Sequence, residues 1–235
     1  PALVNEAPHG GNQTLWPSAA SLNFVEAAFH HACSLFPSPT IHIGGATTDW
    51  TPWESDSSLI RAGLTSGAAI ERLFIDRALR TLHFHGRRAA AWDSLTKAYP
   101  TPPPGTTLLA HRPGNAGRRA AESSGAPWVL ADADILTLSH PGRTNSPLEP
   151  AHTLFDNLTH ALRGERLKGV EAVAWSSTVT TPDILFYHLL PRLLVVAEAA
   201  WHEDDSLPWD KLAPLVEQEM AHLRRSVPYW NPQRP

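Results

Sequence analysis

The run Thr40-Ile41-His42-Ile43 ends in Gly44-Gly45 and continues as Ala46-Thr47-Thr48-Asp49. β-Branched residues followed by a glycine pair are what a strand end needs where backbone turns tightly beside a ligand. Acids, bases or nucleophiles are expected at such a place, yet the next residues are Ala46 and Thr47. Alanine has no titratable group, and a threonine hydroxyl is too weak an acid to give up a proton near neutral pH. Asp49 is the nearest carboxylate, two residues past Thr47. In extended chain that is a displacement of roughly 7 Å, beyond the reach required of a proton donor.

The remaining chemistry-bearing clusters are weaker. His83 and His85 are spaced as a strand would need to aim both imidazoles at one metal, but they fall in the last turn of a helix, where positive charge complements the dipole. His30 and His31 are adjacent on a helix and diverge. Asp132 and Asp134 share one side of an extended segment and read as a solvated loop. A different enzyme built on His42, His111 and that carboxylate pair stays open as an alternative. No G-x-S-x-G elbow marks a serine nucleophile, and no G-x-G-x-x-G or P-loop follows a strand. No metal and no cofactor are expected.

The elements that must position these residues alternate regularly. Leu22, Val25, Phe29, Ala32, Cys33 and Phe36 form one stripe of a helix over 21–36, stopped by Pro37. Ile70, Leu73, Phe74, Ala78 and Leu82 do the same over 68–85, closed by Gly86. Strands are expected at 40–45, 87–92, 106–111, 127–132 and 170–175, with helices at 115–124 and 151–163. Thr181 caps, and Pro182 opens, a helix carrying Leu185, Leu189, Leu193, Val196 and Ala200 inward. A last helix over 209–224 buries Trp209, Leu212, Val216, Met220 and Leu223. Strands alternating with amphipathic helices call for a parallel sheet covered by helices, as either a β/α barrel or an open doubly wound sheet.

A formal charge of −4 gives no electrostatic case for nucleic acid or for an anionic membrane surface, and neither is expected as a partner. No apolar run approaches the length of a membrane span. The single cysteine, Cys33, excludes an internal disulfide and falls on an apolar helical stripe, so it is read as packing. The chain is expected to be soluble, with its compartment open. It starts at Pro1 without an initiator Met or signal sequence, and a processed form or a fragment is expected.

IHIGGATTDW, preceded by a helix ending in L-F-P, resembles the H-I-G-G-D-E strand end of family 20 glycoside hydrolases, the β-N-acetylhexosaminidases. GRRAAAWDSL is similar to that family's G-x-x-x-x-x-W-D-E segment. GVEAVAWSSTV with YHLLPRLLVVAEAAW resembles its closing G-x-x-A-x-L-W-S-E strand and F-P-R-x-x-A-x-A-E-x-x-W helix, and VPYWNP its final segment. Order and spacing agree along essentially the whole of 1–235, which is expected to be one α/β domain of TIM-type (β/α) barrel, partial, holding strands four to eight with their helices.

The resemblance implies a substrate-assisted retaining mechanism, in which an Asp orients the sugar's acetamido group and the adjacent Glu protonates the leaving oxygen. Those positions align with Ala46 and Thr47. Other polar positions of the family fall near Thr137, Ser139 and Ser177, and a sixth-strand tryptophan falls on His111. Trp92, Trp175 and the His42-Gly44-Gly45 framework are retained, so His42, Trp92, His111, Trp175 and Ser177 are the expected sugar-contacting residues. The expectation is a hydrolytically silent barrel domain with residual affinity for N-acetylhexosamine saccharides, and with a partner chain or second copy completing the barrel. The alternatives are an active β-N-acetylhexosaminidase drawing its acid from Asp49 or a partner, and a structural or interaction subunit.

Overall fold

The computed structural model of the protein describes residues 14–46, 48–139, 151–202 and 207–226. Thr47 and the VPYWNP segment fall outside them. The strands that pair within each compact unit run parallel and neighbour one another in chain order. The chain divides into two compact units, residues 1–109 with 119–127, and residues 110–118 with 128–235.

In the first unit, α1 (Ala19–Leu35) starts where the Ser18 hydroxyl accepts the Ser21 amide and stops before Pro37. β1 (Thr40–His42) follows, then the short α2 (Thr51–Glu54) and α3 (Ser57–Arg61), and then α4 (Gly67–Phe84), capped by Ser66. Gly67 stands where a Cβ would come within 2.3 Å of Trp50, so only glycine fits there. β2 (Arg88–Trp92) and β3 (Thr107–Ala110) complete the unit's strands, in the register Ile41↔Ala89, His42↔Ala90 and Trp92↔Leu109.

Strand alternation then sorts the side chains. Ile41 and Ala89 pack with Cys33 and Leu82 on the helix side, which makes Cys33 a core residue as its stripe position predicts. His42 and Trp92 turn to the opposite face. Phe36 is 59% exposed because helix α1 ends one residue before it, so the predicted stripe overran its helix. Leu73, at 38%, also lies outside the buried stripe of Ile70, Ala78 and Leu82.

Beyond β3 run α5 (Ala116–Ser124) and, in the second unit, β4 (Trp128–Leu130), α6 (Ala133–Leu136), α7 (Ala151–Ala161), β5 (Leu167–Val170), α8 (Pro182–Leu189), α9 (Arg192–His202) and α10 (Trp209–Ser226). Trp128, Leu130, Leu136, Leu138, Leu154, Leu158 and Val195 are its largest fully buried side chains among the described residues, with α7 packed on α9. Leu212, Val216 and Met220 of α10 are buried as expected.

Two expectations need correction here. The last strand is Leu167–Val170, not 170–175: pairing with β4 shifts register between Trp128 and Leu130, and Glu171 donates to Leu130. The chain then leaves β4, and Val173 exchanges hydrogen bonds with Leu136 and Leu138 instead. The helix after Thr181 is broken: Pro191 has no N–H and Leu190 is extended, so α8 ends at Leu189. The restart changes the buried face of α9 to Arg192, Val195, Val196 and Ala199, leaving Leu193 and Ala200 exposed.

His188, buried near the end of α8, has its pKa lowered from 6.5, first by burial and then by the Arg192 charge. The unfolded chain therefore takes up a proton more readily than the folded one between the lowered value and 6.5. Stability is expected to fall as pH drops below about 6.5, and His188→Gln is expected to flatten that limb in thermal melts recorded across pH 5–8.

Candidate functional site

Each unit brings one group of the predicted site residues together, at the carboxyl ends of its strands. In the first, β1 delivers His42, and pairing with β2 continues past the strand proper, the Trp92 amide donating to the Gly44 carbonyl at 2.8 Å. Gly44 and Gly45 then take φ of +85° and +75°, which residues with a Cβ rarely adopt. The turn lets the Gly44 amide donate to His42 Nδ1 at 3.1 Å, which puts the ring proton on Nε2. Burial lowers the His42 pKa, so this neutral tautomer is the form present near pH 7. Its ring meets Trp92 edge to face at 5.0 Å between centroids.

The residues after the glycines carry no acid toward that pair. Ala46 is exposed, with its carbonyl accepting the Thr48 amide at 2.8 Å. Asp49 accepts the Thr51 amide at 2.9 Å as a turn cap, and it lines a cavity on the helix side of β1 beside Ile43 and Phe29. Sequence reasoning missed the buried acid of this region. Glu71, 7% exposed on α4, accepts the Thr48 hydroxyl at 2.9 Å and the Trp50 indole N–H at 2.8 Å. Its signal was a single carboxylate inside the apolar stripe AIERLFI.

In the second unit, His111 donates from Nδ1 to the Ala131 carbonyl at 2.8 Å, the opposite tautomer from His42, and its ring stands 6.0 Å from that of Trp175. Trp175 is 45% exposed, and its amide donates to the Ser139 hydroxyl at 2.7 Å. Ser177 is exposed on the 3-10 turn Ser176–Thr178. Asp132 is not the solvated loop residue that its neighbourhood implied. It is 2% exposed, caps α6 by accepting the Asp134 amide, and has its pKa raised by burial. Asp134 accepts the Gly114 amide at 2.8 Å. His85, at the cap of α4, hydrogen-bonds His30 at 2.7 Å, a link between helices that the H-x-H spacing did not reveal. Among the described residues no three His, Cys, Asp or Glu side chains converge on a common metal position, and no single helix is long and apolar enough to cross a membrane.

Parallel strands alternating with helices, carrying these side chains at their carboxyl ends, define an α/β domain of the TIM-barrel type, present here in part. The chain belongs to glycosyl hydrolase family 20: residues 7–204 match that family's catalytic domain. A β-hexosaminidase of Akkermansia muciniphila is 23% identical over 204 residues, which is 80% of this chain and 41% of the relative. A β-N-acetylhexosaminidase of Cellulomonas fimi is 37% identical over 67 residues, 28% of this chain and 12% of the relative. The solved exo-β-N-acetylglucosaminidase of Vibrio harveyi in complex with N-acetylglucosamine superposes with a TM-score of 0.81 at 19% identity, covering 99% of this chain and 40% of that one. The chain thus spans less than half the length of these relatives.

Proposed function

We propose that this chain is a family 20 barrel domain that has lost hydrolysis and retains, in each of its units, an aromatic surface for N-acetylhexosamine-containing saccharides. One observation carries the proposal: the exit of β1 presents an exposed methyl at Ala46, and the nearby Asp49 carboxylate is engaged as a turn cap beside the helix-side cavity. Thr47 in the second position of the acidic pair supplies only an alcohol. The retained surfaces are apolar and hydrogen-bonding: in the first unit Trp92 against His42, with its Nε2–H, and in the second Trp175 against His111, with Ser177 nearby in sequence. Aromatic faces suit the C–H faces of a pyranose, and neutral donors suit its hydroxyls.

The test pairs binding with turnover. N-acetylglucosamine is expected to change tryptophan fluorescence at millimolar concentration, and Trp175→Ala to weaken that binding about fivefold, as for loss of roughly 1 kcal/mol of ring contact. Hydrolysis of a chromogenic N-acetyl-β-glucosaminide is expected at background. Turnover that Asp49→Asn abolishes would establish the active alternative instead.

Among the described residues β1 pairs only with β2, so its other edge has no strand. Such an edge aggregates unless it is covered, and on this proposal a partner chain or second copy covers it. A native mass equal to that of one unaccompanied chain would count against this.

A further inference from the structure

A cavity of the first unit, between α1, the exit of β1, α2 and α4, is separate from the His42–Trp92 pair and plays no part in the saccharide proposal. Its volume is about 450 Å³, within the range of small-molecule sites, roughly 300 to 1,000 Å³. Phe29 of α1, Ile43, Trp53 of α2, and Phe74, Ile75 and Ala78 of α4 wall it. Glu71 and Asp49 bring carboxylates to the same wall.

Glu71 defines the chemistry. A carboxylate has about four acceptor positions. Glu71 uses two, for the Thr48 hydroxyl and the Trp50 indole, and both donors are neutral. Among the described residues it forms no ion pair, although it is 7% exposed. Buried charges are normally paired, and among the described residues the site has no cation to pair with Glu71. An anion is excluded by the two carboxylates. A sugar is excluded because the apolar walls leave most of its hydroxyls without partners. A resident metal ion is normally held by three or more converging side-chain ligands, and no three His, Cys, Asp or Glu of the described residues come together here. An organic ammonium meets both requirements: its N–H groups fill the remaining acceptor positions, and its hydrocarbon body replaces water against the aromatic and aliphatic walls.

We propose that the cavity binds a small primary ammonium with an aliphatic or aromatic body, held by its charged head at Glu71. The experiment is calorimetric titration of the full chain at pH 7 with 2-phenylethylammonium, beside its neutral isostere 2-phenylethanol. The ammonium is expected to bind at least tenfold more tightly. Glu71→Gln is expected to remove that preference, since the amide carbonyl still accepts from Trp50 while its N–H group donates to a reoriented Thr48 hydroxyl. Val25→Trp, at the half-buried rim on α1, is expected to block both molecules without touching Glu71. Equal binding of the two compounds, an ammonium preference that persists in Glu71→Gln, binding unaffected by Val25→Trp, or no binding at millimolar concentration would each overturn the proposal.

Discussion

Hydrolysis of an N-acetyl-β-glucosaminide by this chain is expected to fall short of an intact family 20 site by four to seven orders of magnitude. General acid catalysis contributes about 10² to 10⁴ and electrostatic stabilisation of the developing charge about 10² to 10³. Together these are about 5 to 10 kcal/mol of barrier. On the proposed correspondence with the family's acidic pair, Ala46 takes the place of the carboxylate that orients the acetamido group, and Thr47 that of the acid that protonates the leaving oxygen. The two losses separate experimentally. A 2,4-dinitrophenyl glycoside leaves without a proton, so it cancels the missing acid but not the missing orienting group. Its cleavage is expected to remain near the solution rate, and Asp49→Asn is expected to change nothing. The assay belongs on the native assembly, so that an acid supplied by a companion chain is included. Turnover well above solution with either substrate would show that a carboxylate reaches the glycosidic oxygen after all.

Much of the scaffold behind this expectation is local in origin and so was legible in the sequence. Thr181 caps the helix that it precedes, Gly86 turns at φ +66° out of α4, and the strands fall at or near the apolar runs. What was not legible depends on residues distant in sequence. VEAVAW has the composition of a strand, but register on β4 selects LKGV and leaves Val173 to pair with Leu136 and Leu138. The stripe Leu185–Ala200 has a single helical period, yet the chain restarts after Pro191 with its buried face rotated onto Arg192.

The site divides in the same way. Its residue types could be listed from the sequence, whereas their states could not. That His42 holds its proton on Nε2 and His111 on Nδ1 follows from a glycine amide in one case and a carbonyl twenty residues away in the other. Asp132 and Asp134 looked like a solvated pair because a two-residue spacing does not reveal that one of them caps a buried helix start. Glu71 was passed over because an acid in an amphipathic helix is normally on the wet side, and only the packing of Thr48 and Trp50 over α4 encloses it.

Arg192→Ala is expected to be the most destabilising single substitution in the second unit, by roughly 3 to 5 kcal/mol. The guanidinium is 6% exposed and donates to the carbonyls of His188 and Leu138. The first lies in the last turn of α8, where helix carbonyls lack intrahelical partners. The second immediately precedes Ser139, whose hydroxyl holds the Trp175 amide. Truncation leaves two buried acceptors unsatisfied, at about 1 to 3 kcal/mol each, and empties the space of the side chain. For a chain of this size that corresponds to a fall in Tm of roughly 10 °C. Arg192→Met, which restores volume but no donors, is expected to recover only a small part of the loss, separating the hydrogen bonds from the packing. Two further readouts distinguish the proposed linkage from general loosening. The His188 titration should move up toward its ordinary value, because one of the two causes that lower it is gone. Saccharide affinity should fall in step with that of Trp175→Ala, because the backbone carrying the indole is no longer anchored through Leu138 and Ser139. A variant that melts lower but keeps both the His188 titration and the sugar response would confine Arg192 to the core and detach it from the pocket wall.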